Sequence, residues 1–244
     1  GFAVGAALMG KRPIYVVRYQ GFQWLNASMV VNYAAKSKAI WGRPCPILIR
    51  SIAMEGGIGP VAGSSHHSLF LRMPGVKIFS PMTPGEWRAA YEEFMAGDDV
   101  VYLSEHRKAY DNTEELPPLS LKNLDVVLFP ISVTRFAAGD ASYELLIENT
   151  AIVGIHHISQ LKPFSPSQEA LNNLSTARYG GIVLDDDYPD STAKALALDL
   201  HNLTGARMEV LGLEDRTAGF SPQTDNLPPG KDRKKAFIKR LMTV

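Results

Sequence analysis

Short apolar runs rich in β-branched residues alternate with helical stretches along this chain, and that alternation restricts the possible folds more than any other feature. In the first half, strand-like runs occupy 13–17, 46–50, 76–79 and 100–103, and the β-branched run at 13–17 is expected to be a buried strand. Apolar residues near 3.6 spacing predict a helix over 25–39. A second helix is expected between Thr83, which begins a Thr-x-x-Glu capping box, and Gly97. Strands joined through helices favour βαβ units on a parallel sheet.

The alternation stops at 111–123, which contains two adjacent prolines, and then begins again. Strands are predicted at 126–131, 151–155, 181–185 and 208–213, and helices at 142–149, 167–175, 191–204 and 232–242. The predicted fold class is α/β, with two tandem parallel-sheet, three-layer domains. The expected domains are 1–112 and 124–244, joined by a linker at 113–123.

Composition excludes several classes of function. The 244 residues carry 25 Lys+Arg and 25 Asp+Glu, so the formal net charge is zero, which argues against a nucleic-acid partner. Cys45 is the single cysteine, so neither an intrachain disulfide nor a multi-cysteine metal site can form. No apolar run reaches the roughly 18 residues that a membrane span requires, and we predict no membrane association.

The first ten residues are small and apolar, and we expect a buried helix that ends at Gly10. They have neither an initiator methionine nor the basic region of a signal peptide. Because a domain rarely begins with a bare buried helix, we expect a preceding segment that has been cut away or left out of the numbering.

A glycine-rich loop at 56–67 follows the strand that ends at Arg50, and ends in His66-His67. Gly56, Gly57, Gly59 and Gly63 could let a ligand approach the backbone closely, or the loop could be a flexible surface segment. The spacing matches neither phosphate-binding glycine motif. The two histidines could donate a proton, while a metal site is disfavoured because no Glu or Cys stands at metal-ligand spacing. A second pair, His156-His157, follows a later strand, and we expect it to have a structural role.

Three further groups have open interpretations. Tyr19, Phe22 and Trp24 could stack on a planar heterocycle or form core between sheet and helix, and their spacing favours core. Asp185-Asp186-Asp187 could bind a divalent ion, although a solvated turn is the favoured interpretation. The basic run 231–239 is expected on the polar face of the last helix.

Several segments together resemble a known family, in their order and spacing. They are Gly1–Ala7, Arg12-Pro13-Ile14, Tyr19-x-x-Phe22, Ala34-Ala35-Lys36, Pro74-Gly75-Val76-Lys77 and Leu161-Lys162-Pro163. The chain resembles transketolase-like thiamine diphosphate enzymes, above all the beta subunit of the first component of 2-oxo-acid dehydrogenases of the pyruvate and branched-chain types. The resemblance covers nearly the whole chain and implies a pyrimidine-binding domain followed by a transketolase C-terminal domain.

The resemblance implies thiamine diphosphate with Mg²⁺ at a subunit interface. Phe22 takes the position whose ring packs on the aminopyrimidine, with Tyr19 beside it, and His67 with His66 would be catalytic. The diphosphate and Mg²⁺ are held in that family by a Gly-Asp-Gly…Asn motif, to which Gly139-Asp140-Ala141 is the nearest match here. The resemblance therefore implies an alpha-type partner subunit, a two-fold assembly and a lipoyl acyltransferase core.

Two departures from the family leave two interpretations open. The family's catalytic glutamate precedes Gly1-Phe2 and so falls outside this sequence, and the loop histidine is expected at Ala62 or Gly63 rather than at His67. One interpretation is a beta subunit that takes part in oxidative decarboxylation of a 2-oxo acid with acyl transfer to lipoyl. The other is a non-catalytic, transketolase-like assembly subunit. The compartment, bacterial cytoplasm or mitochondrial matrix, also stays open.

Overall fold

The computed structural model describes residues 1–56, 58–59 and 61–243. Gly57 and Pro60 of the predicted glycine-rich loop lie outside the described residues, as does Val244. The chain forms two compact units. Unit 1 comprises Gly1–Glu115, Ser159–Pro163 and Ala218–Asp225, and unit 2 comprises Leu116–Ile158, Phe164–Thr217 and Asn226–Val244.

Strands and helices alternate through both units. The strands are β1 (Ile14–Val17), β2 (Leu48–Ala53), β3 (Val76–Phe79), β4 (Val100–His106), β5 (Val126–Pro130), β6 (Val153–Ile155), β7 (Gln160–Lys162), β8 (Gly181–Leu184) and β9 (Met208–Leu211). The helices are α1 (Phe2–Leu8), α2 (Gln23–Met29), α3 (Ala35–Trp41), α4 (Ser68–Leu71), α5 (Pro84–Ala96), α6 (Phe136–Ile147), α7 (Gln168–Thr176), α8 (Thr192–Thr204) and α9 (Lys231–Leu241).

The sheet of unit 1 has the strand order β1-β2-β4-β3-β7. Its first four strands are parallel, while β7 pairs antiparallel with β3. The central strands β2 and β4 are almost entirely buried, as expected for parallel strands with both faces covered. The prediction of a buried strand at 13–17 is wrong, because β1 lies at the sheet edge and exposes three of its four residues.

The segment from α2 to α3 is nearly one helix, as the apolar spacing predicted. A π-helical turn, Val30–Ala34, joins the two α-helices, and Gly42 ends them in a left-handed conformation at φ 65°. Helix α5 begins as predicted, because the Thr83 hydroxyl accepts a hydrogen bond from the Glu86 backbone N–H. The Glu86 carboxylate accepts from Met82 N–H instead of completing the capping box at Thr83.

The sheet of unit 2 has the order β6-β5-β8-β9, and every pairing within it is parallel. Its core packs residues of β5, β6 and β8 against α6 and α9, including Leu128, Leu145 and Ile238. Helix α6 begins six residues before its predicted start, because Phe136–Ala141 lacks the apolar periodicity used to place it.

The predicted α/β fold class is confirmed, with two further local differences. Helix α1 buries only Val4 and Ala7, so the expected buried helix is instead largely exposed. Strand β7 was not predicted, since three residues offer too little pattern. Among the described residues, no helix combines the length and apolarity that a membrane crossing would need.

Candidate functional site

Gln20 ties together the carboxyl ends of β2 and β4 and the loop that follows β2. Its side-chain amide donates to Ser51 O at 3.0 Å and to Ser104 Oγ at 2.8 Å. Its carbonyl oxygen accepts from His66 N–H at 2.6 Å. Gln20 is fully buried, so these bonds are shielded from water and hold the His66-His67 segment against the sheet edge.

The His66 ring is held through both nitrogens. Trp24 Nε1 donates to Nδ1 at 3.5 Å, and Nε2 lies 3.2 Å from Ser64 Oγ. Burial, with a smaller contribution from the neighbouring His67, lowers the pKa of His66 to about 4. His66 is therefore neutral at pH 7; because Nδ1 accepts, Nε2 carries the hydrogen and donates to Ser64.

His67 is fully buried, and its Nδ1 lies 3.1 Å from Ser104 Oγ. The same hydroxyl accepts from Gln20, so one serine of β4 connects Gln20 with His67. The structure thus brings the two predicted catalytic histidines to one sheet edge, with His67 enclosed and His66 partly exposed.

The predicted cofactor-binding aromatic residues lie beside this edge. Tyr19 and Phe22 have ring centroids 6.2 Å apart at 40°. The Phe22 side chain is 43% exposed and Trp24 is 58% exposed. The favoured interpretation of these residues as core is therefore wrong for both, because the chain folds them outward at the start of α2.

The glycine-rich loop is packed by the chain itself at Gly59, where φ is +82°. A Cβ at this position would lie 2.4 Å from a ring carbon of Phe220, and one at Gly63 would lie 3.0 Å from Gly59 O. Glycine is thus required at position 59 for packing against Phe220 of the same unit, which accounts for it without a ligand.

A second polar group at this edge was not predicted from the sequence. Glu105, fully buried on β4, accepts from Arg50 Nε at 2.7 Å and from Arg50 Nη2 at 3.1 Å. Tyr110 Oη also donates to Glu105 at 2.7 Å, and hydrogen bonding to this carboxylate raises the pKa of Arg50. Arg50 and Glu105 are 55 residues apart, so only the β2–β4 register could have indicated the pair.

The acidic triplet of unit 2 is buried, so its interpretation as a solvated turn is wrong. Asp185, Asp186 and Asp187 follow β8 and are each at most 2% exposed. Ser132 Oγ donates to Asp186 at 2.8 Å, and Tyr188 N–H donates to Asp187 at 2.7 Å. Asp185 accepts from Asp186 N–H at 2.8 Å, so all three carboxylates are hydrogen-bonded at the end of the strand.

The other histidine pair and the basic run also lie in unit 2. His156 packs on Phe129 and its Nε2 lies 3.0 Å from Asn173 Nδ2, while burial lowers the pKa of His157 to about 3. Such enclosure fits the predicted structural role. In the basic run Lys234 is buried, contrary to its expected place on a polar face, and donates to Thr134 O at 2.8 Å.

Comparison with known proteins decides the family. Residues 1–113 match the family described as transketolase, pyrimidine binding domain. The chain is 30% identical over 252 residues to pyruvate dehydrogenase E1 component subunit beta of Chaetosphaeridium globosum, an alignment that covers 93% of this chain and 74% of that protein. The chain belongs to the transketolase-like thiamine diphosphate family, as a beta-type member.

Other relatives match a shorter part of this transketolase-like chain. It is 33% identical over 119 residues to 2-oxoisovalerate dehydrogenase subunit beta of Bacillus subtilis, covering 45% of this chain and 35% of that protein. It is 30% identical over 123 residues to acetoin:2,6-dichlorophenolindophenol oxidoreductase subunit beta of Cupriavidus necator, covering 48% and 36%. The chain therefore spans about a third of the length of these two relatives.

A solved structure gives the same fold for this transketolase-like chain. The chain superposes on a split gene transketolase, described as an inactive beta4 tetramer, with a TM-score of 0.75. The match covers all of this chain and 80% of that one at 14% identity, which is evidence for the fold alone. The predicted membership of the family is confirmed.

Proposed function

We propose that this chain is the beta-type subunit of a thiamine diphosphate-dependent 2-oxo-acid dehydrogenase, and that the carboxyl edge of unit 1 binds the aminopyrimidine. The observation that carries the proposal is the half-exposed Phe22 ring beside Tyr19, next to a histidine pair held by Gln20. An aromatic face suits a flat, electron-poor heterocycle. The match to the transketolase pyrimidine-binding family and the similarity to beta subunits of 2-oxo-acid dehydrogenases support the same reaction class.

The residues present fit one half of the cofactor. An outward-facing aromatic pair can hold the pyrimidine, whereas Gly139-Asp140-Ala141 departs from the motif that binds Mg²⁺ and diphosphate. Thiamine diphosphate, when bound, supplies the electron sink for decarboxylation of a 2-oxo acid. The diphosphate and Mg²⁺ half of the site would come from an alpha-type partner subunit.

In this proposal each residue of the edge has one task. Phe22 packs on the pyrimidine, and Tyr19 limits the movement of the Phe22 ring. Gln20 fixes the backbone at His66 and so positions the histidine loop. His67, oriented by Ser104 at Nδ1, transfers a proton through Nε2.

The exposed apolar side chains of unit 1 support the proposed assembly. Helices α2 and α3 with their π-helical turn leave Trp24, Leu25, Tyr33, Ile40 and Trp41 more than a third exposed. Exposed apolar surface on this scale is typical of protein interfaces. We propose that it is covered by a second copy in a two-fold assembly or by the alpha-type subunit, and that a lipoyl acyltransferase core accepts the acyl product.

Titration of thiamine diphosphate with Mg²⁺ into the assembled alpha–beta complex tests this function. We expect saturable binding that Phe22→Leu weakens about tenfold, the loss of roughly one aromatic contact. Phe237→Leu in α9 is the matched control and should bind normally. Equal binding by wild type and Phe22→Leu would contradict the assignment of the pyrimidine site.

The second candidate is a non-catalytic assembly subunit, which one observation favours. His67 is fully buried, and a proton-transfer group must reach the reacting atoms. A complex that neither binds thiamine diphosphate saturably nor decarboxylates 2-oxo acids would favour this candidate, whereas saturable binding with decarboxylation that falls in His67→Asn would contradict it.

A further inference from the structure

An open groove of about 680 Å³ runs along the outer edge of the unit 2 sheet, between helix α8 and strand β9. Leu198 of α8 and Met208 and Val210 of β9 line it together. Leu198 is 59% exposed, while Met208 and Val210 are each only partly buried. Apolar side chains that gather along an open groove are typical of a surface that another protein covers.

The backbone of β9 is unpaired along this outer edge. Within the described part of the chain, β9 pairs with β8 alone. Arg207 O accepts from Gly181 N–H of β8 at 2.9 Å, and in a parallel ladder every second residue bonds to the same neighbour. Met208 and Val210 therefore direct their N–H and C=O groups away from β8. Such an edge is a template for one more strand.

The charged residues of β9 make the strand complementary to itself. Arg207 and Glu209 share one face of the strand, with 2.9 Å between Arg207 Nη2 and Glu209 Oε1, and both remain partly exposed. In an antiparallel pair centred on Met208, Arg207 of each copy lies opposite Glu209 of the other copy. If the centre moved to Glu209, two Glu209 carboxylates would face each other, which is destabilising. The charges therefore favour the register centred on Met208.

The backbone directions fit the same register. Met208 offers its N–H and C=O groups at the edge, so two copies of Met208 would exchange two backbone hydrogen bonds. The two-fold axis would then be perpendicular to the sheet, and the α8 helices of both copies would lie on the same face. Leu198 of each copy would pack beside the joined strands, which would cover the apolar side of the groove.

We propose that a second copy of this chain pairs with β9, antiparallel about Met208, and joins two four-stranded sheets into one continuous sheet. The contact is two-fold, so the same surface serves in both copies. The proposal does not depend on thiamine diphosphate binding, because no residue of α8 or β9 is assigned to the cofactor. It also concerns a different surface from the exposed face of α2 and α3 in unit 1.

Sedimentation equilibrium of the full chain tests the charge complementarity. Arg207→Glu and Glu209→Arg should each weaken self-association at least about tenfold, because each change turns both opposite-charge pairs into like-charge pairs. The double variant Arg207→Glu/Glu209→Arg restores opposite charges and should associate like wild type. An equimolar mixture of the two single variants should form heterodimers for the same reason. Self-association through any other surface would be equal in all these chains, so their differences report on β9.

Disulfide cross-linking locates the contact. Met208→Cys should give a covalent dimer on mild oxidation, because opposite residues of an antiparallel pair have Cα atoms about 5.5 Å apart, within disulfide range. The native Cys45 is buried and should not cross-link. Met95→Cys, at an exposed methionine of α5, is the matched control and should remain a single chain on a non-reducing gel.

Three results would overturn the proposal. The first is a wild-type chain that stays monomeric at high concentration, which would leave this edge to a strand of another protein. The second is equal self-association by wild type and both single charge variants, with circular dichroism showing that all of them fold. The third is cross-linking of Met208→Cys no stronger than that of Met95→Cys.

Discussion

The polar and aromatic side chains at the carboxyl edges of the two parallel sheets differ in their exposure to solvent. In unit 1, the Gln20 side chain is buried and hydrogen-bonded. Around it, four side chains are exposed: Phe22, Trp24, Arg18 and Arg107. In unit 2, the charged residues that follow β8 are enclosed. A parallel sheet can end in a ligand-accessible edge or in a sealed one, and only the first can offer binding surface without rearrangement.

The largest loss of stability should come from replacing Gln20, the buried side chain that supports the carboxyl edge of unit 1. Gln20→Met has nearly the same volume but would leave Ser51 O, His66 N–H and Ser104 Oγ without their Gln20 partner. We expect the free energy of unfolding to fall by about 3–4 kcal/mol. Urea unfolding measures this loss, with Gln168→Met at an exposed position as the control. A loss under about 1 kcal/mol would contradict the comparison, because the carboxyl edge of unit 1 would then not depend on the buried Gln20 side chain.

Acid should destabilise both units through histidines that are neutral in the folded state. Burial lowers the pKa of His66 and His106 to about 4 and that of His157 to about 3. Between pH 6.5 and about 4 the unfolded chain therefore binds more protons, and stability falls as pH falls through that window. Each group can contribute at most about 3 kcal/mol.

Urea unfolding at several pH values measures this dependence, and His106→Gln should flatten it. The His201→Gln variant, at an exposed histidine of α8, is the control. Stability that stays constant from pH 6.5 to 4 would contradict the neutral state of these rings.

Lys234 gives unit 2 a pH dependence of the same sign on the alkaline side. Burial lowers the pKa of Lys234 to about 7, so the unfolded chain binds more protons between pH 7 and about 10.5 and stability rises with pH there. Lys234→Met removes this cost, and we expect about 1–2 kcal/mol of stabilisation at pH 7. The gain should shrink towards pH 10, as urea unfolding at both pH values would show; an equal or growing gain at pH 10 would exclude a lowered lysine pKa.

The smallest effect on stability is expected at the exposed aromatic edge. Phe22→Leu should change the free energy of unfolding by less than about 0.5 kcal/mol, because Phe22 is half-exposed. Phe129→Leu, at the buried end of β5 in unit 2, should cost about 1–2 kcal/mol. Similar costs for the two variants in thermal unfolding would mean that Phe22 is core.

The sequence predicted the alternating elements well because strand and helix periods are local patterns. Helix α5, with Thr83 as its N-cap, is placed by four adjacent residues. Burial is different, since it depends on which strand becomes the edge. The β-branched residues of β1 resemble those of a central strand, yet they are exposed because β1 pairs on one side only.

The candidate site was only partly predictable, because some of its contacts join residues that are far apart in the sequence. His66 and His67 are conspicuous in sequence, and Tyr19 and Phe22 came from the family resemblance. Gln20, which joins β2, β4 and the loop, has no local signal, since its partners stand 31, 46 and 84 residues away. The roles of the four predicted site residues, and the boundaries of the linker at 113–123, stay predictions.

Hydrogen exchange of the alpha–beta complex, with and without thiamine diphosphate and Mg²⁺, tests the central claim most directly. We predict slower exchange of the amides of residues 19–26 in unit 1 when the cofactor is added, and unchanged exchange at 181–187 in unit 2. Protection at 181–187 without protection at 19–26 would contradict the account, because the cofactor would then act at the sealed edge instead of the open one.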